Sequence, residues 1–212
     1  MRGHFITFEG VDGSGKTTQV RLLRQFLDQQ GVEYVFTREP GGTDLGEQIR
    51  RILLDPAHRD MGVETEALLY AASRAQLTRQ VIRPALDAGK TVLCDRFVDS
   101  SLCYQGFGGG LDLDFVRDLN HRATEGLKPD LTLLFDMPPD DAAQRRRRGS
   151  EDRMERKDLA FHERVREGYL TLARQEPDRI RIVDAMASVE QVQRVVRKLV
   201  AQALNSGCEG YQ

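Results

Sequence analysis

The chain has 212 residues, enough for one sizeable core, and its 40% apolar and 30% charged content is ordinary for a globular domain. Basic and acidic residues number 31 and 33, a formal net charge of -2, so no global basic field marks a nucleic-acid binder. No apolar run is long enough to span a membrane, and the three cysteines (Cys94, Cys103, Cys208) are odd in number and lack metal-ligand spacing.

The start, Met-Arg-Gly-His, passes almost at once into an apolar run, so no signal peptide is expected. A reduced, cytoplasmic protein without disulfides is expected, with Cys94 a small core residue. The run predicts a first strand over Phe5–Glu9, which leads into Gly10-Val11-Asp12-Gly13-Ser14-Gly15-Lys16-Thr17. A helix is predicted over Thr18–Gln30, with Val20, Leu22, Leu23, Phe26 and Leu27 on its buried side and Gly31 as its stop. Strand, glycine loop and helix are the context of a phosphate-binding loop, and Gly10 through Thr18 form the expected triphosphate-binding set. Glycines let backbone N–H groups turn inward around phosphate oxygens, and the new helix aims its positive end at the same place. Lys16 would reach the β- and γ-phosphates, and Thr17 would offer its hydroxyl to Mg²⁺.

Further strands are predicted over Tyr34–Thr37, Thr91–Asp95, Leu131–Asp136 and Ile180–Asp184, with helical spacing between them. The alternation predicts a three-layer α/β domain with a five-stranded parallel sheet flanked by helices. A long helix begins near Val63 and stops at Gly89, with Pro84 expected to kink or break it. Ligands of such sheets bind beyond the carboxyl ends of the strands. The phosphate loop, Arg38-Glu39-Pro40 and Asp95-Arg96 should therefore face one crevice. Arg38 sits beside a loop stiffened by Pro40, Gly41 and Gly42; it is a phosphate ligand there or a surface arginine before a turn. Asp95 resembles the second acidic motif that holds Mg²⁺ in phosphate-loop enzymes, with Arg96 on an acceptor's phosphate; a salt bridge between neighbours is the plainer alternative. Arg145-Arg146-Arg147-Arg148 points around all sides of a helix, which suits a solvated face or a mobile arginine lid near 145–156. Residues 1–204 are expected to form one domain, and 205–212 a frayed tail.

The chain lacks the Asn-Lys-x-Asp guanine-reading motif of switch GTPases and is rich in arginine at the expected crevice. Phosphoryl transfer relies on positioning and charge neutralisation, which favours a kinase over a nucleotide-binding regulator without turnover.

Taken together the motifs resemble the thymidylate kinase family, over Phe5 to roughly Leu199. The matching pieces are Phe8-Glu9-Gly10 with the loop, Thr37-Arg38-Glu39-Pro40-Gly41-Gly42, Leu69-Tyr70-Ala71-Ala72-Ser73-Arg74-Ala75-Gln76, Asp95-Arg96-Phe97 to Tyr104-Gln105-Gly106, and Lys128-Pro129-Asp130-Leu131-Thr132. The resemblance implies a P-loop nucleoside-monophosphate-kinase fold, ATP and dTMP as substrates, Mg²⁺ as cofactor, and a homodimer. It implies that Asp12 meets the sugar 3′-hydroxyl of dTMP and that Arg38 and Arg96 hold its phosphate. Tyr70 would stack on the thymine, where the family usually has phenylalanine. Arg74, Ser101 and Gln105 would read the base edge, and Tyr104 would crowd the sugar's 2′ position. Gly13 stands where some members carry an arginine, which resembles the bacterial variant with catalytic lid arginines. Arg146, Arg148 or Arg153 would then join Lys16, Asp12 and Arg96 in catalysis. A kinase for another nucleoside monophosphate is the rival within the same class.

Overall fold

The computed structural model describes residues 2–145 and 152–205. Five strands, β1 (Phe5–Glu9), β2 (Tyr34–Arg38), β3 (Thr91–Asp95), β4 (Leu131–Asp136) and β5 (Ile180–Asp184), form one sheet in the order β2-β3-β1-β4-β5. Every pairing is parallel; Phe5 registers with Val92, and Ile6 with both Leu93 and Leu131. All five strands therefore end on the same edge, and β1 sits at the centre of it.

Parallel strands need covering on both faces, and β1 shows how the sequence meets that demand. All five of its residues are buried. Successive side chains point to opposite faces, so Ile6 and Phe8 join one hydrophobic cluster with Leu93, while Phe5 joins another with Val92 and Cys94. The first cluster is closed by Val20, Leu23 and Leu27 of α1 (Lys16–Gln29) and by Val192, Val196 and Val200 of α9 (Val189–Asn205). The second is closed by Leu77 at the end of α3 (Val63–Leu77), by Ile82, and by Leu86 of α4 (Arg83–Asp87).

The long helix expected from Val63 to Gly89 is α3 and α4 joined by a widened π turn at Thr78–Ile82. Pro84 has no N–H and its ring would press on the carbonyl four residues back; one wider turn removes that conflict. α2 (Asp44–Leu54), which the expectations gave no bounds, is capped by Thr43 Oγ1 accepting from Gly46 N at 3.0 Å. Beyond β3 the chain forms the short α5 (Val98–Ser101) and a second π turn, Leu102–Gly108, before α6 (Leu113–Thr124). α7 (Pro139–Arg145) and α8 (Leu159–Gln175) flank the expected lid. Arg146 and Arg148 of that lid, and tail positions 206–212, lie outside the described residues; Asn205 is the last residue of α9. No helix among the described residues is long and apolar enough to cross a membrane.

Candidate active site

α1 starts at Lys16, two residues earlier than the spacing predicts, because Gly15 turns the chain into it at φ 87°. At the other end of the loop Gly10 lies at φ 130°, and a Cβ there would stand 2.5 Å from the Phe135 carbonyl oxygen. Glycine is the residue that fits both positions. Lys16 folds back along the loop and donates from Nζ to Gly10 O at 2.8 Å and Val11 O at 3.0 Å. Burial lowers its pKa to about 8, aided by the Arg96 charge and opposed by Asp12, Asp95 and Glu9. A phosphate oxygen at the loop would supply the missing counter-charge. Ser14 Oγ is buried there without a hydrogen-bond partner among the described residues.

Beyond the strand ends lies a cavity of about 400 Å³. The phosphate loop lends it Asp12 and Thr17, and the ends of β2 and β3 lend Arg38, Asp95 and Arg96. Tyr70 comes from α3; Ser101, Tyr104 and Gln105 come from α5 and the π turn behind it. These nine predicted residues thus face one space.

Arg96 is the hub of that space. Its Nη2 donates to Asp12 Oδ1 at 2.7 Å and Tyr104 OH at 3.3 Å, and its Nη1 to Ser100 Oγ at 3.1 Å and Tyr169 OH at 3.2 Å. The guanidinium lies 5.0 Å from the centre of the Tyr104 ring. Glu9 builds the corner underneath: its carboxylate accepts from Phe97 N at 2.7 Å, Ser100 Oγ at 2.6 Å and Tyr169 OH at 2.7 Å. Burial, and then the nearby Asp99 charge, raises the Glu9 pKa against Arg96. Sequence reasoning gave Glu9 no role; an acid ending an otherwise uncharged strand was the available signal.

Arg38 is the last residue of β2, held by Glu47 of α2 through Nη2–Oε2 at 3.1 Å. Arg50, three residues further along α2, donates to Pro40 O at 2.9 Å and also lines the cavity. It was missed, although its i+3 spacing from Glu47 puts both on one helix face. Glu39 lines the wall as well, pushed up to about 7 by burial against the pull of Arg74.

Two predicted residues stand behind the wall. Arg74 is 1% exposed: Nε donates to Glu39 Oε2 at 2.7 Å, Nη1 to Ser101 Oγ at 2.8 Å and to Asn120 Oδ1, and Nη2 to Phe97 O at 3.0 Å. Each of its nitrogens is committed, so a direct bond to a base requires one of these to be given up. Arg153 is 6% exposed, with Nε donating to Leu53 O at 2.8 Å and Nη2 2.5 Å from Glu66 Oε2. It is buried against Glu66 and the end of α2 and does not line the cavity, while its neighbours Asp152 and Met154 do.

Asp95 Oδ1 is buried without a hydrogen-bond partner among the described residues, and Thr17 lines the same cavity. Hard oxygen donors, one of them an orphaned carboxylate oxygen, fit a Mg²⁺ that keeps its remaining ligands as phosphate and water. No group of three or more His, Cys, Asp and Glu able to hold a metal occurs among the described residues.

A central parallel strand feeding a glycine loop, with arginines from two strand ends and one helix around an adjoining cavity, defines a phosphate-loop kinase of the nucleoside-monophosphate class. Comparison with known proteins narrows this. The family model described as Thymidylate kinase matches residues 8–196. The thymidylate kinase of Symbiobacterium thermophilum is 58% identical over 200 residues, 94% of each chain, and that of Exiguobacterium sp. (strain ATCC BAA-1283 / AT1b) is 54% identical over 98% of each. The crystal structure of thymidylate kinase from Ehrlichia chaffeensis superposes with a TM-score of 0.79 at 34% identity, covering 95% of this chain and 99% of that one. The chain belongs to the thymidylate kinase family.

Proposed function

We propose that the chain transfers the γ-phosphoryl group of ATP to dTMP, giving dTDP and ADP, within dTTP biosynthesis. The observation that carries this is the Arg96 hub: one guanidinium joins the phosphate loop, through Asp12, to the acceptor cavity, through Tyr104. In-line transfer needs two phosphates brought end to end, and this is where the two binding regions meet. Arg38, Arg50 and Arg96 converge on the cavity and can neutralise an acceptor phosphate, while Lys16 and the loop N–H groups receive the triphosphate. The acceptor phosphate is itself a nucleophile, so no general base is required. Mg²⁺, held by Thr17 and Asp95, would supply charge neutralisation at the β- and γ-phosphates.

Tyr70 offers the base an aromatic face, and its hydroxyl stays protonated because burial, and then Glu66, holds its pKa above the ordinary range. Asp12 is placed for the sugar 3′-hydroxyl and Tyr104 for the 2′ position. With Arg153 buried, we assign the transition-state charge to Arg146 and Arg148. We also read the protein as a cytoplasmic homodimer. Cys94 and Cys103 are buried free thiols, which suits a reducing compartment. Leu45 and Ile52 on α2, Leu68 on α3 and Phe115 on α6 are exposed apolar groups on helices that pack side by side.

Incubation with γ-³²P-labelled ATP, Mg²⁺ and dTMP tests the reaction: label should appear in dTDP. Label released only as inorganic phosphate would refute it.

A further inference from the structure

Gln105 has an amide whose two ends are chemically opposite, and a neighbour decides which end faces which way. Its Nε2 donates to Glu66 Oε1 at 2.7 Å, and both residues are buried. A carboxylate only accepts, so the nitrogen of the amide must be the end turned toward Glu66. Glu66 is ion-paired in turn with Arg153, whose Nη2 lies 2.5 Å from its other oxygen. Arg153 is anchored twice to the end of α2, through Nε to Leu53 O at 2.8 Å and N to Leu54 O at 3.2 Å. The series Leu53–Arg153–Glu66–Gln105 thus runs from the segment after the lid, through α3, to the cavity wall. Glu66 and Arg153 are not on that wall; Gln105 is.

We propose that Glu66, clamped by Arg153, is a positioning residue that sets the base specificity of the acceptor site by fixing the polarity of the Gln105 amide. This rests on the reading of the cavity as a dTMP site. With one N–H given to Glu66, Gln105 keeps its carbonyl oxygen and the other N–H for a base. That edge matches a pyrimidine presenting an N3–H donor beside an O4 acceptor, as thymine and uracil do. Cytosine presents the reverse, an N3 acceptor beside an amino donor. An amide free to turn over could serve either; an amide held by a carboxylate serves one. The fixed polarity therefore rejects cytosine by mismatching its edge rather than by bulk.

The test compares kcat/KM for dTMP and dCMP in the wild-type enzyme, E66Q, R153K, Q105L and the E66Q/Q105L double variant. A glutamine at position 66 can donate as well as accept, so E66Q should narrow the dTMP preference at least about tenfold. The change should fall on the acceptor KM and leave the KM for ATP in place, a split that general loosening of the fold would not give. R153K, which keeps a cation beside Glu66 but loses the fork, should move the preference the same way and carries the test if E66Q does not fold. Adding E66Q to Q105L should alter the preference no further. An unchanged preference in both E66Q and R153K overturns the proposal, as does an E66Q effect that persists without the Gln105 amide. A wild-type enzyme inactive on dTMP would instead refute the acceptor assignment itself.

Discussion

Arg96 holds a backbone conformation, φ 69°, that non-glycine residues seldom adopt, and four side-chain oxygens surround its guanidinium. Such strain persists where the surroundings over-determine it, and here Glu9, Ser100 and Tyr169 do so. Lys16 is the second decisive residue. Its pKa of about 8 lies below its ordinary 10.5, so the buried charge is lost as pH rises through 8 in the empty enzyme. Triphosphate binding restores that charge, so above pH 8 each binding event takes up a proton. The affinity for ATP should then fall by about tenfold per pH unit above 8, measured by titration calorimetry in buffers of different ionisation enthalpy. A flat affinity from pH 7 to 9.5 would contradict this. Lys16→Ala should reduce kcat on the order of 10³-fold or more, the scale of other single charge-neutralising groups in phosphoryl transfer. Its melting temperature should not fall, because the side chain is a desolvated cation in the free protein. Tyr104→Ala should narrow the preference for dTMP over its ribose analogue by about tenfold, read from the two kcat/KM values. Equal selectivity before and after would remove Tyr104 from sugar recognition.

At the scale of elements, the five strands and the phosphate loop were legible in the sequence because each signal is local. A short run rich in apolar and β-branched residues reads as a strand, and β1, β3, β4 and β5 keep their expected bounds. The π turn at Thr78–Ile82 was legible as a problem at Pro84 but not as a solution, since the way a helix absorbs a proline depends on what packs on it. The fates of Arg74 and Arg153 were not legible either. Their partners, Glu39, Asn120 and Glu66, lie 35, 46 and 87 positions away in sequence, and spacing carries no trace of such pairs. The loop makes its own prediction. In Gly10→Ala the new methyl would meet the Phe135 carbonyl at 2.5 Å, at a φ that side chains rarely adopt. Denaturant unfolding should show a loss of about 1–3 kcal/mol, and ATP binding should weaken with it. Wild-type stability in that variant would show that the loop tolerates a different path.

For the molecule as a whole, the central strand places the phosphate loop beside the cavity at the strand ends. The helices α2, α3 and α6 carry their exposed apolar residues away from that cavity, which leaves the site clear if two copies join there. Sedimentation equilibrium should give a dimer, and Leu68→Glu should shift it toward monomer; a wild-type monomer at micromolar concentration would contradict the shared face. Acceptor choice is read from ADP release with saturating ATP and Mg²⁺ across dTMP, dUMP, UMP, CMP, GMP and AMP. The highest kcat/KM is expected for dTMP, with the purine monophosphates near background. Faster turnover of any other monophosphate than of dTMP would contradict it.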